Sequence, residues 1–349
     1  MRVLVAGIGG ASLGTEILKC LEGAGGYEVF GCDISPYAFG HYQPGVAETF
    51  IVPEAGYVEA IAGLCRRLRI DAVIPGGEEP LRLLSGDLAR WRRAGTRLAG
   101  NAPSVVAECS DKSRLFTRLA ELGLPVPWSL TVVDAESFAR RTDIPIPCVV
   151  KPAKGTGGSA FVTLATSLDE ARSAVASLLQ HGRTPLVQEY VAEDEGEYTV
   201  GSLATPSGDL IGTIILRRMF NAKLSVLMRS QAGLISSGYS QGLIDEFPEV
   251  RVQAERIARA MHNAGPMNIQ GRMRAGTFYP FEINPRFSAT VFLRALAGFN
   301  EVDLFLKSLM GATPAVGAIR PGYYLRSLSE VYVPMTDIKR ADAPDRLSA

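Results

Sequence analysis

The segment Phe278–Phe287 (FYPFEINPRF) constrains the fold more than any other part of this 349-residue chain. Its aromatic and β-branched residues favour a strand, and polar residues alternate with apolar ones. Glu282 and Asn284 therefore leave the strand on one face, while Pro285 ends it because proline has no N–H to donate to a ladder. Arg286 follows at the mouth of the strand. The segment thus gathers a carboxylate, an amide and a guanidinium.

This combination predicts a metal site. Mg²⁺ accepts a few hard oxygen ligands from a protein and completes its shell with water and phosphate oxygens, so Glu282 and Asn284 suit it. Gln270 is a third candidate, because Met267–Met273 (MNIQGRM) has the pattern of the preceding strand. A turn at Ala275–Gly276 predicts a hairpin that brings the three side chains close together. The alternative is a strand with a solvated polar face.

Length and composition limit the classes of function. A chain of 349 residues has room for about two or three domains and a large core. Lys plus Arg and Asp plus Glu are both 36, so the formal net charge is zero, which argues against nucleic-acid or membrane-surface partners. The five cysteines include no C-x-x-C pair, and no apolar run reaches about 18 residues. We therefore expect a cytoplasmic protein with reduced cysteines.

The N-terminus predicts a βαβ unit. Val3–Ala6 is a short apolar strand, Gly7–Gly14 is a glycine-rich turn before a helix, and Tyr27–Asp33 is a second strand. One interpretation is a dinucleotide site with Asp33 on a ribose. The other is a turn whose glycines serve only the backbone. The pattern G-x-G-G-x-x-x-G departs from G-x-G-x-x-G, which favours the second interpretation.

The doubly wound pattern continues to about residue 100. The strand predicted at Asp71–Ile74 is followed by Glu78 and Glu79. Open α/β sheets bind ligands at the carboxyl ends of their strands. These acids therefore either meet an amine or a sugar, or are solvated loop residues.

Two lysines and a glycine-rich loop are the next candidates. Lys112 lies at the start of a predicted helix whose N-cap is either Ser110 or Asp111, and Lys151 lies near the end of the strand Cys148–Pro152. The loop after this strand contains Gly155, Thr156, Gly157, Gly158 and Ser159. Its backbone N–H groups can fold over phosphate, because glycine has no Cβ to block a close approach. The alternatives are a surface lysine and an ordinary mobile turn.

Taken in order, these motifs resemble those of the ATP-grasp superfamily. The matching segments are D-K at 111–112, V-V-K-P with its glycine loop at 149–159, E-Y-T-V at 197–200, N-I-Q at 268–270 and E-I-N-P-R at 282–286. The chain is similar to the carbamoyl-phosphate-synthetase-like and carboxylate–amine ligase branch of that superfamily. The resemblance extends from Met1 to about residue 311.

The resemblance implies a fold of class α/β, with an α+β C-terminal lobe. We expect a Rossmann-like pre-ATP-grasp domain at 1–100 and a small lobe with a glycine-rich lid at 101–185. The C-terminal lobe with the metal site would follow at 186–311, and a C-terminal extension at 312–349. Within this extension we expect a strand pair at Gly322–Val333.

The resemblance also implies the roles of residues. The implied ATP contacts are Lys112, Lys151, Gly155–Ser159, Gln188, Glu189, Tyr190, Val191 and Glu197. The implied ligands of Mg²⁺ or Mn²⁺ are Gln270, Glu282 and Asn284. Residues 188–191 would pair with the adenine at a hinge between the two lobes, and Glu197 would meet the ribose. Lys151 and Arg286 would stabilise the transferring phosphoryl group.

The implied reaction is a carboxylate–amine ligation. ATP phosphorylates a carboxylate, an amine attacks the acyl phosphate, and ADP and phosphate leave. The implied partners are a small-molecule carboxylate and an amine, and we expect a homodimer. Arg217, Arg218 and Lys223 would either bind a substrate carboxylate or form a solvated basic loop.

Three alternatives stay open. One is another ATP-grasp reaction, such as carbamoyl-phosphate-type chemistry. Another is an NAD(P)-dependent oxidoreductase that uses Gly7–Gly14 and Asp33. The last is a nucleotide-binding module without catalytic activity.

Overall fold

The N-terminal part of the chain forms a parallel sheet. We describe residues 1–155 and 161–340 of a computed structural model. Five strands lie in the order β3-β2-β1-β4-β5. They are β1 (Arg2–Ala6), β2 (Glu28–Asp33), β3 (Glu48–Ile51), β4 (Ala72–Pro75) and β5 (Arg97–Leu98). The helices are α1 (Leu13–Ala24), α2 (Tyr57–Leu68), α3 (Glu78–Leu84) and α4 (Leu88–Arg93). Because helices cover a parallel sheet, its strands are continuous apolar runs, as Val3–Ala6 is.

A second, antiparallel sheet follows. Its four strands lie in the order β6-β9-β7-β8. They are β6 (Ser129–Thr131), β7 (Cys148–Pro152), β8 (Thr163–Ala165) and β9 (Pro185–Glu189). The accompanying helices are α5 (Pro103–Cys109), α6 (Lys112–Glu121), α7 (Ala135–Ala139) and α8 (Leu168–Gln180). β9 pairs with β7 along its whole length, so this sheet continues to Glu189. The boundary expected after residue 185 is therefore wrong, since it divides a strand of the sheet.

The C-terminal sheet has six strands in the order β16-β15-β10-β11-β14-β17, and β12 and β13 form a separate two-stranded sheet. The strands are β10 (Glu197–Ala204), β11 (Leu210–Arg218), β12 (Val226–Ser230), β13 (Gly233–Ser236), β14 (Gly242–Ile244), β15 (Pro266–Arg274), β16 (Thr277–Asn284) and β17 (Gly322–Tyr324). The helices are α9 (Pro248–Ala260), α10 (Val291–Leu296) and α11 (Glu301–Leu309), and short 3₁₀ turns lie at Phe39–His41 and Lys223–Ser225. β10 lies inside the sheet, and its residues are all buried.

The predicted hairpin is confirmed. β15 and β16 pair antiparallel, with Gln270 opposite Glu282 and Asn268 opposite Asn284. The turn at Ala275–Gly276 has positive φ at both residues, 50° and 73°. This is the backbone twist that tight hairpin turns favour.

The expected strand pair at Gly322–Val333 is wrong. Only Gly322–Tyr324 is a strand, and it pairs with β14 rather than with its own continuation. β17 forms its hydrogen bonds with β14 at the edge of the C-terminal sheet, whereas residues 325–333 form no strand. The segment expected to be an extension therefore contributes to the sheet of the C-terminal lobe.

The cysteines and helices agree with the expectations from composition. All five cysteines are free and buried. Across residues 1–155 and 161–340, no helix has both the length and the apolar character needed to cross a bilayer.

Close packing at the first glycine turn gives a testable prediction. A Cβ built on Gly14 would lie 1.9 Å from the carbonyl oxygen of Gly7, whereas one on Gly23, in the same helix, meets nothing within 4 Å. We expect Gly14→Ala to lower the free energy of unfolding by about 3 kcal/mol or more. Gly23→Ala should be neutral or stabilise by up to about 1 kcal/mol. Urea unfolding of both variants checks this, and equal stabilities would contradict the packing.

Candidate active site

A cleft lies between the antiparallel sheet of the small lobe and the C-terminal sheet. Its walls come from β7, β9, β15 and β16 and from residues 235–240, which comprise the end of β13 and the loop after it. One end is apolar, with Val149, Val162, Ile235 and Phe281. Charged and amide side chains line the rest, among them Lys112, Lys151, Gln270, Glu282 and Arg286.

The apolar end adjoins the predicted hinge. Gln188, Glu189, Tyr190 and Val191 all line the cleft. The Tyr190 hydroxyl accepts a hydrogen bond from the Leu234 amide at 2.7 Å and donates to Glu193. Glu189 forms an ion pair with Arg274, and its carboxylate accepts a 3.2 Å bond from the Trp128 amide. The hinge is therefore held rigidly beside an apolar slot of the kind that a planar base fills.

Lys151 is a buried cation at the polar end. It points from β7, and its Nζ donates to Gln188 Oε1 at 2.8 Å and to the Phe281 carbonyl at 2.9 Å. Burial is the main cause that lowers the pKa of Lys151 to about 7; the charge of Lys112 acts in the same direction, and Glu282 opposes both effects. Both hydrogen-bond acceptors are uncharged. The site therefore favours a negatively charged ligand that would restore the charge on this lysine.

Lys112 reaches the same end from a helix terminus. It is the first residue of α6, whose N-cap Asp111 accepts bonds from the amides of Ser113 and Arg114. The Lys112 amide donates to the Ala153 carbonyl at 2.8 Å, which fixes the helix start beside β7. Asp111 also pairs with Lys154 at 3.2 Å. Two lysines and a helix N-terminus thus face one region, which favours anions.

Gln270 and Glu282 lie side by side on the hairpin. Gln270 Nε2 donates to Glu282 Oε2 at 2.9 Å, so one ion could reach both side chains. Asn284 is buried, and its Nδ2 has no hydrogen-bond partner in the described part of the chain. Turning that amide would present Oδ1 in its place.

The donor set fits a hard cation. Within residues 1–155 and 161–340, no three His, Cys, Asp or Glu side chains converge to bind a metal. A site with one carboxylate and two amides suits Mg²⁺ or Mn²⁺ that takes its other ligands from phosphate and water. Gln270, Glu282 and Asn284 are the residues that would hold it.

Arg286 lines the cleft just beyond β16. Its Nη1 donates to the Phe287 carbonyl at 2.9 Å, and its Nε is buried without a partner among the described residues. The guanidinium is therefore oriented by the backbone and keeps donors for an anion.

The prediction that Glu197 contacts the ribose is wrong. Its side chain is fully buried between Arg218 at 3.0 Å and Arg272 at 2.8 Å, and it is absent from the residues that line the cleft among those described. Arg218 is likewise not available for a substrate carboxylate, because its side chain is 1% exposed and bound to Glu197. Arg217 and Lys223 are exposed. The alternation of residues along β10 could not predict that Glu197 is buried between two arginines. Alternation shows which side chains share a face of the strand, but not what packs on that face.

Several residues of the site had no sequence signal. Arg272, Ser236, Ser237 and Ser240 line the cleft. The serines lie at the end of β13 and in the loop after it, where the sequence has no motif, and Arg272 follows N-I-Q by two positions. Thr156, Gly157, Gly158 and Ser159 lie outside the described residues. Gly155 has a positive φ of 67°, and a Cβ there would meet no atom of the described residues within 4 Å.

Side chains of the protein itself contact the N-terminal glycine turn. Asp33 Oδ2 accepts the Ile8 amide at 2.8 Å, and its Oδ1 accepts the Ser35 amide at 3.0 Å. A Cβ on Gly10 would lie 3.0 Å from Phe39, which packs over the turn. These contacts favour the backbone role of the glycines. Glu78 and Glu79 are exposed, and Glu79 pairs with Arg82.

Comparisons with known proteins agree with this geometry. A family model described as "ATP-grasp in the biosynthetic pathway with Ter operon" matches residues 182–331. A carbamoyl phosphate synthase large chain from Vibrio cholerae is 26% identical over 275 residues, which are 76% of this chain and 24% of that protein. The chain thus spans about a quarter of the length of the curated relatives it matches.

Solved structures share the fold. An L-amino acid ligase from Bacillus licheniformis has a TM-score of 0.65 at 17% identity, covering 88% of this chain and 74% of that one. The biotin carboxylase domain of a Hydrogenobacter thermophilus 2-oxoglutarate carboxylase, in complex with MgADP, has a TM-score of 0.66 at 17% identity, covering 91% and 72%. The architecture is the ATP-grasp fold. The chain has this fold, and residues 182–331 are similar to the ATP-grasp family associated with the Ter operon.

The lowered pKa of Lys151 gives a prediction for ligand binding. At pH 8, above its pKa of about 7, most of the lysine is neutral in the free protein. A bound triphosphate favours the charged form and raises that pKa, so binding should take up between about half and one proton. At pH 6 the uptake should vanish, because the lysine is already charged.

Titration calorimetry in buffers of different ionisation enthalpy measures this proton uptake. Lys151→Arg is the control, since arginine stays charged at every pH used. Equal uptake in this variant and the wild type would show that Lys151 is not the titrating group.

Proposed function

We propose that the protein is an ADP-forming ligase that activates a carboxylate as an acyl phosphate and joins it to an amine. One observation carries this proposal. A single cleft is lined by apolar side chains beside the hinge and by Lys151, Arg286 and the Gln270–Glu282 pair. Lys151 donates to the hinge residue Gln188, so its cation adjoins the apolar slot. These are the surroundings that a base, a triphosphate and a bound metal ion require.

The side chains have separate roles in the proposed reaction. Lys112 and Lys151 bind phosphate oxygens and neutralise their charge. Arg286 lies beyond the metal hairpin, where its free donors stabilise charge on the transferring phosphoryl group. Gln270, Glu282 and Asn284 would hold Mg²⁺, which would supply positive charge where negative charge develops on the phosphates. Phosphoryl transfer needs little covalent chemistry from the protein, so positioned cations are the main requirement.

The lobes would exclude water from the intermediate. An acyl phosphate hydrolyses if water reaches it, so the proposed ligase needs a closed cleft. The positive φ of Gly155 and the open space around it suit a loop that approaches phosphate closely. We propose the loop 155–159 for that role.

The comparisons support a ligase and leave a second candidate. The relatives named carbamoyl phosphate synthase large chain favour carboxyphosphate or carbamate chemistry, in which bicarbonate is the activated acid. The structural similarity to an L-amino acid ligase favours an amino acid as the acid. ADP release with bicarbonate and ammonia, compared with amino acids, separates the two.

We also propose a domain order, a location and an assembly. The proposed units are an N-terminal sheet domain, a small lobe that ends after Glu189, and a C-terminal lobe that includes β17. Five buried free thiols support a reducing, cytoplasmic environment. The biotin carboxylase domain with the same fold is a dimer, and we propose a homodimer here.

The nucleotide proposal predicts a thermal shift. Mg·ATP at ~100-fold over its Kd should stabilise the protein by about 2.7 kcal/mol, which corresponds to a rise of a few degrees in Tm. A chelator should reduce the shift, and NADH or NADPH should produce none. A shift with NADH or NADPH alone would contradict the proposal and move the site to Gly7–Gly14.

From the positions of Glu282 and Arg286 in the cleft we predict a catalytic defect when either side chain is removed. Glu282→Ala and Arg286→Ala should each lower the rate of ADP release by ~10²–10³ with the fold intact, because each removes a group that faces the transferring charge. Glu136→Ala and Arg259→Ala are matched controls on exposed positions and should leave the rate unchanged. Circular dichroism and Tm would verify folding. Near-normal rates in both cleft variants would contradict the assignment.

A further inference from the structure

One buried carboxylate links the two ends of the cleft. Glu197 begins β10, which lies between β11 and β15 in the sheet. Arg218 reaches it from β11 at 3.0 Å and Arg272 from β15 at 2.8 Å. The exposed fractions of these side chains are 0%, 1% and 6%. Three charged groups are thus out of water in the middle of the molecule.

The other N–H groups of Arg272 donate hydrogen bonds at the hinge. Its Nη1 donates to the Val191 carbonyl at 2.7 Å, and its Nη2 donates to the Leu234 carbonyl at 2.8 Å. The guanidinium also lies 4.7 Å from the centre of the Tyr190 ring. One side chain therefore ties the hinge to β13, the strand that closes the apolar slot from the other side.

The N–H groups of Arg218 donate hydrogen bonds near the predicted metal site. Its Nη2 donates to the Ser237 carbonyl at 2.7 Å, which fixes the loop that lines the cleft after β13. Its Nη1 approaches Gln270 Oε1 at 3.4 Å, on the hairpin that would hold the metal. The two arginines thus hold different ends of the same cleft.

We propose that Glu197 is a positioning residue that couples the nucleotide hinge to the metal hairpin through these two arginines. The proposal rests on the proposed function, because the ligands at the two ends are ATP and its metal. Arg272 positions the base-binding end, Arg218 positions Gln270 and the 236–240 loop, and Glu197 orients both guanidiniums. Glu197 itself does not touch the nucleotide.

The physical argument is one of orientation. A buried arginine keeps its place only if a carboxylate compensates it and its remaining N–H groups find acceptors. Glu197 provides the charge, and the backbone carbonyls at 191, 234 and 237 provide the acceptors. Replacing Glu197 by Gln preserves size and one acceptor, but it leaves Arg218 without its carboxylate partner and Arg272 with only the more distant and partly exposed Glu193, at 3.6 Å. Both arginines should then lose their fixed orientation together.

The test measures the two ends separately in the full chain. Nucleotide affinity is measured by calorimetry with a non-hydrolysable ATP analogue in the presence of chelator. Metal affinity is measured by electron paramagnetic resonance of Mn²⁺ at saturating analogue. Neither measurement depends on turnover. Hydrogen bonds to charged groups set an expected change of roughly tenfold in each constant.

The variants have distinct expected patterns. Glu197→Gln should weaken nucleotide and Mn²⁺ binding together. Arg272→Lys should weaken mainly the nucleotide, and Arg218→Lys mainly Mn²⁺, because lysine keeps the charge but loses the planar fork that spans two carbonyls. These two lysine variants preserve the charge balance, so they carry the test if Glu197→Gln does not fold.

A nucleotide comparison separates positioning from direct contact. If Glu197 touched the ribose, Glu197→Gln would weaken ATP more than 2′-deoxy-ATP. The positioning role predicts that both lose affinity by the same factor. A larger loss for ATP would overturn the proposal in favour of ribose contact.

Asp303→Asn is the control. Asp303 accepts a bond from the Tyr27 hydroxyl at 2.7 Å and pairs with Lys307 at 2.8 Å, and none of these three residues is among those that line the cleft in the described part of the chain. This variant should lose stability without the paired loss of both affinities. Unchanged affinities in all three network variants would overturn the positioning role alone. A wild-type protein that binds no ATP analogue would instead overturn the proposed function on which the inference rests.

Discussion

The arrangement of the cleft depends on a buried ion triad, in which Glu197 compensates Arg218 and Arg272. Removing such charges from water costs several kcal/mol per ion, and well-packed apolar side chains often stabilise a core as well or better. Apolar side chains could not bind backbone carbonyls, however. The triad therefore does what a hydrophobic core cannot do: it fixes the hinge, β13 and the following loop, which belong to different elements, relative to one sheet.

Lys151 shows the opposite use of a buried cation. Arg218 and Arg272 have a carboxylate inside the protein, whereas Lys151 donates only to the neutral oxygens of Gln188 and Phe281. Burial lowers its pKa to about 7. Among the described residues, the protein thus has buried arginines that are paired with a carboxylate and a buried lysine that donates only to neutral oxygens. A strongly perturbed lysine in a cleft is a candidate ligand-binding residue, and the neighbouring charge of Lys112 favours an anion there.

Local patterns predicted the local parts of this structure. The hairpin at 267–284, the strand that carries Lys151 and the helix that begins at Lys112 all follow from periodicity, caps and turns, and each is present. The environment of Glu197 could not be predicted in this way, because its partners lie 21 and 75 residues away on other strands. The predictions of where the small-lobe sheet ends and of what β17 pairs with failed for the same reason, because strand pairing depends on which sheet edge is available.

Contacts of the C-terminal segment, which also join residues far apart in the sequence, reach the cleft near Ala289. β17 joins the C-terminal sheet, and Arg326 then pairs with Glu16 of α1 at 2.9 Å while it donates to the Ala289 carbonyl, which lines the cleft. Further on, Lys339 Nζ donates to the Thr49 carbonyl at 2.7 Å. These contacts join the N-terminal sheet domain to the loop after Arg286, so this part of the cleft is shaped by residues that lie in no motif. Motifs therefore predict the nucleotide and metal contacts, whereas the substrate pocket of the proposed ligase depends on contacts that only the folded chain assembles.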